Sequence, residues 1–66
     1  MQLQINGAIQ QLPTDTTLAE LLERLALGSS RVAVELNQAV VPRSQHAATT
    51  LHAGDCVEIV HAIGGG

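Results

Sequence analysis

The chain has no lysine, phenylalanine, tyrosine or tryptophan. Its only fixed positive charges are Arg24, Arg31 and Arg43, against six acidic residues, giving a net charge of −3. Nucleic-acid binding needs a basic stripe to neutralise phosphates and, for single strands, aromatic platforms for the bases. Neither is present, so nucleic acid is not an expected partner. Without lysine, the chain also has no side-chain amine to acylate. A single cysteine, Cys56, excludes an internal disulfide and cannot alone hold zinc or an iron–sulfur cluster. Met1–Ile5 lacks the basic start of a secretion signal, and no stretch approaches the ~20 apolar residues of a membrane-spanning helix. The expected setting is cytoplasmic, away from membranes.

What is present is aliphatic: nine Leu, six Val and four Ile in 66 residues. A chain this short buries roughly 60% of its unfolded surface, so one modest core is expected. Met1, Leu3 and Ile5 alternate with Gln2 and Gln4, the pattern of a half-buried strand. Asn6-Gly7 is a hairpin signal, because a type I′ turn needs positive φ at both central residues. Ala8 to Leu12 is the return strand, with Ile9 and Leu12 on opposite faces. Thr17 and Glu20 form a capping box. Leu18, Leu21, Leu22 and Leu25 then make one helical stripe, expected to lie in the core. Glu20 and Arg24 are spaced for an outer i, i+4 pair, and Gly28 is placed to end the helix as its C′ residue.

Val32 to Leu36 alternates again, Asn37-Gln38 turns the chain, and Val40-Val41 is a short strand ended by Pro42. Arg43 to Thr50 is polar and irregular, with room for one helical turn. Leu51 is expected to plug the core beneath that loop. Gly54-Asp55 is a turn, and Cys56 to Ala62 is the last strand. Val57, Ile59 and His61 share one face of it; Cys56, Glu58, Val60 and Ala62 share the other. A hairpin, a crossing helix and a return to a mixed sheet make an α+β, β-grasp arrangement of four to five strands. If the last strand lies parallel to the first, the helix covers one face and the tail leaves from the sheet's end. Residues 1–63 form this domain, and Gly64 to Gly66 form a flexible tail.

The tail offers only backbone and the α-carboxylate of Gly66. Three glycines reach about 10 Å when extended and enter a slot too narrow for any other residue. Alone, such an end reads equally as a linker stub. Three further stretches bear on the choice: Val34-Glu35-Leu36-Asn37 with Val40-Val41-Pro42-Arg43; Leu51 through Gly54-Asp55-Cys56-Val57-Glu58-Ile59-Val60; and Ala62-Ile63-Gly64-Gly65-Gly66. In these the chain resembles the ubiquitin-like sulfur carriers, most closely the ThiS family of thiamin synthesis, over essentially its whole length. That resemblance implies adenylation of the Gly66 carboxylate by a ThiF-like enzyme using ATP. A cysteine desulfurase then supplies sulfur, AMP is displaced, and a thiocarboxylate donates its sulfur to thiazole synthase. It implies no stably bound cofactor and no enzymatic activity in the carrier itself. No nucleophile–base pair is readable in the residues either.

Gly64 and Gly65 are expected to lie in the partner's channel, and Arg43, Val60, Ala62 and Ile63 are candidate partner contacts. Arg43 reads equally as a solvated loop charge. Cys56 reads as a small filler in its strand rather than a sulfur relay, since nothing nearby in sequence would activate its thiol. The spacing of His46, His52 and His61 fits no metal pattern. The alternatives are a molybdopterin synthase small subunit, a protein modifier joined to target lysines through the same acyl-adenylate, and a non-covalent ubiquitin-like interaction domain. Plant-type ferredoxins share the arrangement but need four cysteines.

Overall fold

The structure, a computed structural model, describes residues 1–61. Its strands are β1 (Gln2–Ile5), β2 (Ala8–Gln11), β3 (Val32–Leu36), β4 (Ala39–Val41) and β5 (Cys56–His61). One α-helix, α1 (Leu18–Arg24), and a 3₁₀ helix (Arg43–Ala48) complete the elements. The five strands form one mixed sheet in the order β2-β1-β5-β3-β4. β5 is central, parallel to β1 and antiparallel to β3. This is the β-grasp arrangement expected from the element order.

Both hairpins turn through left-handed residues. φ is 50° and 82° at Asn6 and Gly7, and 51° and 72° at Asn37 and Gln38. Asparagine tolerates this region because its short polar side chain bonds locally. The period-two pattern sorts the strands as read. Leu3, Ile5, Val34, Val57 and Ile59 are buried under α1, while Gln2, Gln4, Ala33, Glu35, Cys56, Glu58 and Val60 face away. Leu51 plugs the core at 1% exposure. On β2, Ile9 is exposed and Leu12, just beyond the strand, is buried, so these two do face opposite ways.

The capping box closes α1 as expected. The Glu20 N–H donates to Thr17 Oγ1 at 3.2 Å, and Glu20 Oε1 accepts from the Thr17 N–H at 2.9 Å. The Glu20 carboxylate therefore turns back to the cap rather than toward Arg24. The loop before β5 fastens this end, with Leu18 N–H donating to Thr49 C=O and Leu51 N–H to Thr16 C=O.

The other end of α1 differs from expectation. The helix stops at Arg24, and the left-handed C′ residue is Ala26, at φ 60°, not Gly28. Ala26 N–H donates to Glu23 C=O, and Leu27 N–H to Leu22 C=O at 2.7 Å. These are the two bonds of a Schellman motif. The reversal takes Leu25 out of the expected core stripe, leaving it 37% exposed, while Leu27 packs against the core in its place.

Candidate functional site

The site expected from the sequence surrounds the end of β5. Positions 62–66, including Ala62, Ile63, Gly64, Gly65 and Gly66, and with them the boundary at 63, lie outside the described residues. What the structure describes is the sheet that leads to them.

β5 is fastened at both ends by asparagine side chains from the two hairpin turns. At its start, Asn37 Oδ1 accepts from the Cys56 N–H at 2.9 Å, and Asn37 Nδ2 donates to Asp55 Oδ1 at 3.1 Å. Asp55 Oδ2 in turn accepts from the His52 N–H at 2.7 Å, closing the Gly54-Asp55 turn. Gly54 sits at φ 87°, a conformation side chains rarely adopt, and its N–H donates to Gln2 C=O. Near the far end, the Asn6 amide takes both backbone groups of Ile59.

The face away from α1 carries an exposed apolar and acidic patch. Val60 is 62% exposed and lies opposite Ala33. In the next row Glu58 lies opposite Glu35, and Glu35 opposite Val40, which is 70% exposed. Two like charges directly opposed on neighbouring strands destabilise a sheet. That pairing was invisible in the sequence: each glutamate could be placed on the outward face of its own strand, but which residue it meets depends on long-range register. The role of Asn6 was missed for the same reason.

Arg43 is exposed but lies on the other face. It lines a groove of about 220 Å³ beside α1, along with Leu22, Leu27, Ser30, Val32 and the buried His46. Its guanidinium donates to Gly28 C=O at 3.2 Å. The structure therefore separates Arg43 from Val60, although Val32, which lines the groove, is the register partner of His61.

His46 is a packing residue. Its Nε2 lies 3.0 Å from Val41 C=O, so that nitrogen carries the proton. His52 and His61 are exposed, and no cluster able to hold a metal occurs among the described residues. Cys56 is exposed on the open face with its thiol 3.4 Å from Gln4 Oε1, so it fills no core space. No helix among the described residues is long and apolar enough to cross a membrane.

The ThiS family model matches residues 3–66. The sulfur carrier protein ThiS of Escherichia coli is 35% identical over 66 residues, covering 100% of both chains. A crystal structure of a thiamine biosynthesis protein (ThiS) from Geobacter metallireducens superposes with a TM-score of 0.87 at 36% identity, again with both chains fully covered. A thiazole synthase of Magnetococcus marinus is 42% identical over 66 residues. The chain spans 20% of that protein's length.

Proposed function

From the premise that this chain belongs to the ThiS family, we propose that it is a sulfur carrier of thiamin biosynthesis whose working group is the Gly66 carboxylate. The observation that carries this reading is the likeness to a bacterial ThiS along its whole length, Gly64 to Gly66 included.

A carboxylate is a poor electrophile because its charge and resonance repel nucleophiles. A ThiF-like partner supplies ATP: a Gly66 oxygen attacks the α-phosphorus, pyrophosphate leaves, and an acyl-adenylate forms. A persulfide, supplied through a cysteine desulfurase, attacks the acyl carbon with its outer sulfur and AMP departs, leaving an acyl disulfide. A thiol then attacks the carrier-remote sulfur, forming a new disulfide and releasing the acyl-bound sulfur. The resulting thiocarboxylate is anionic and nucleophilic at sulfur. Thiazole synthase is the proposed acceptor. In the Magnetococcus protein, a segment like this chain shares one polypeptide with a thiazole synthase, which would keep carrier and acceptor at high effective concentration.

Beyond its Gly66 carboxylate, the carrier's part is docking and delivery, with ATP and acid–base groups supplied by the partners. The open face suits docking: Val60, Ala33 and Val40 supply apolar area, and the Glu35–Glu58 pair favours a partner bearing basic groups there. The test is ATP–pyrophosphate exchange by a ThiF-like enzyme. Exchange that requires the chain and is lost on deleting Gly65-Gly66 supports the reading. Exchange indifferent to the chain, from an enzyme active on another carrier, overturns it.

A further inference from the structure

β1 and β5 share only two register pairs, Gln4 with Cys56 and Ile5 with Val57. The chain then turns away at Asn6-Gly7, although the Asn6 N–H still donates to Val57 C=O at 2.9 Å. One step further along β5, β1 has no backbone to offer. There the Asn6 side chain takes over: Nδ2 donates to Ile59 C=O at 3.3 Å, and Oδ1 accepts from the Ile59 N–H at 2.7 Å. A carboxamide carries the same donor and acceptor as a peptide unit, so it completes the rung. On the other side, β3 accompanies β5 as far as Val32 opposite His61. β5 is thus gripped on both sides up to Ile59.

We propose that Asn6 is a positioning residue for the carrier role argued above, on which this inference rests: its amide stands in for the missing β1 rung and fixes the point from which the C-terminal segment is handed to the activating partner. Without the clasp, two-sided support would end at Val57, and Ile59 would join Val60 and His61 in keeping a neighbour on one side only. The partner would then have to order them on binding, which weakens association while leaving the chemistry alone.

Asn37 provides an internal control. It has the same left-handed backbone, and its side chain bonds β5 on the opposite side at Cys56, far from the hand-off. Asn6→Gly and Asn37→Gly each keep the turn and delete the amide. Both are compared with the natural chain by thermal unfolding, by amide hydrogen exchange, and by carrier-dependent ATP–pyrophosphate exchange with a ThiF-like enzyme.

Both variants are expected to lose similar stability. Only Asn6→Gly should raise the carrier's KM, by about tenfold with kcat within about twofold, and speed exchange at Ile59. An unchanged KM in Asn6→Gly, or an equal rise in Asn37→Gly, overturns the proposal. If Asn6→Gly does not fold, Asn6→Asp, which keeps the acceptor and loses the donor, should show an intermediate KM; the natural KM would overturn the proposal equally. A natural chain that supports no pyrophosphate exchange would instead overturn the carrier reading, and the hand-off with it.

Discussion

Val60 is a large apolar side chain that the core does not use. Its place opposite Ala33, on the face away from α1, leaves it available to the proposed docking surface at little structural cost. Val60→Asp is expected to leave thermal unfolding nearly unchanged and to weaken binding to the adenylating enzyme at least tenfold, about 1.4 kcal/mol or more. Calorimetric titration that finds the natural affinity would remove Val60 from the interface. The opposed Glu35 and Glu58 make a sharper case, because stability and function should move in opposite directions. Neutralising one, as in Glu58→Gln, relieves a cross-strand repulsion and should stabilise the free protein by about 0.2–1 kcal/mol. It should also slow association with a basic partner and reduce the salt dependence of that rate. Denaturant unfolding and stopped-flow association read the two effects separately. The outward face of each strand was legible from alternation alone. The apposition of the two glutamates was not, because it depends on how β3 and β5 register across more than twenty positions.

At the scale of the element, α1 shows where pattern reading succeeds and where it fails. The capping box was legible because all its atoms lie within one turn of chain. The leucine stripe was legible up to Leu22. Leu25 broke the pattern because the backbone reverses at Ala26, and a glycine two residues later was the more obvious stop signal. Alanine at φ 60° costs roughly 1–2 kcal/mol, of which glycine's greater freedom when unfolded would return about 0.5–1. Ala26→Gly should therefore stabilise the protein by about 0.5 kcal/mol, raising Tm by roughly 3 °C. A lower Tm would contradict the left-handed C′ assignment. Both asparagine turns were legible as turns. Their second task, holding β5 through side-chain amides, was not, since Asn6 and Ile59 are 53 positions apart in the chain.

At the scale of the whole molecule, an aliphatic core holds a five-stranded sheet whose central strand comes just before Ala62-Ile63-Gly64-Gly65-Gly66 in the sequence. Nearly all the fold was legible in order and face, because strands, turns and helix each carry a local signal. The proposed docking surface was legible only in part, because it is assembled from three strands, β3, β4 and β5. Gly65→Ala is expected to leave unfolding unchanged and to lower the rate of adenylation about tenfold to a hundredfold if the partner's channel admits only glycine. Formation of a thiocarboxylate at Gly66 can be read by intact mass spectrometry after co-expression with a ThiF-like enzyme and a sulfur source. A mass gain equal to exchanging one oxygen for one sulfur, mapped to Gly66, is the expected result. An unchanged mass, with the same enzyme active on another carrier, would contradict it.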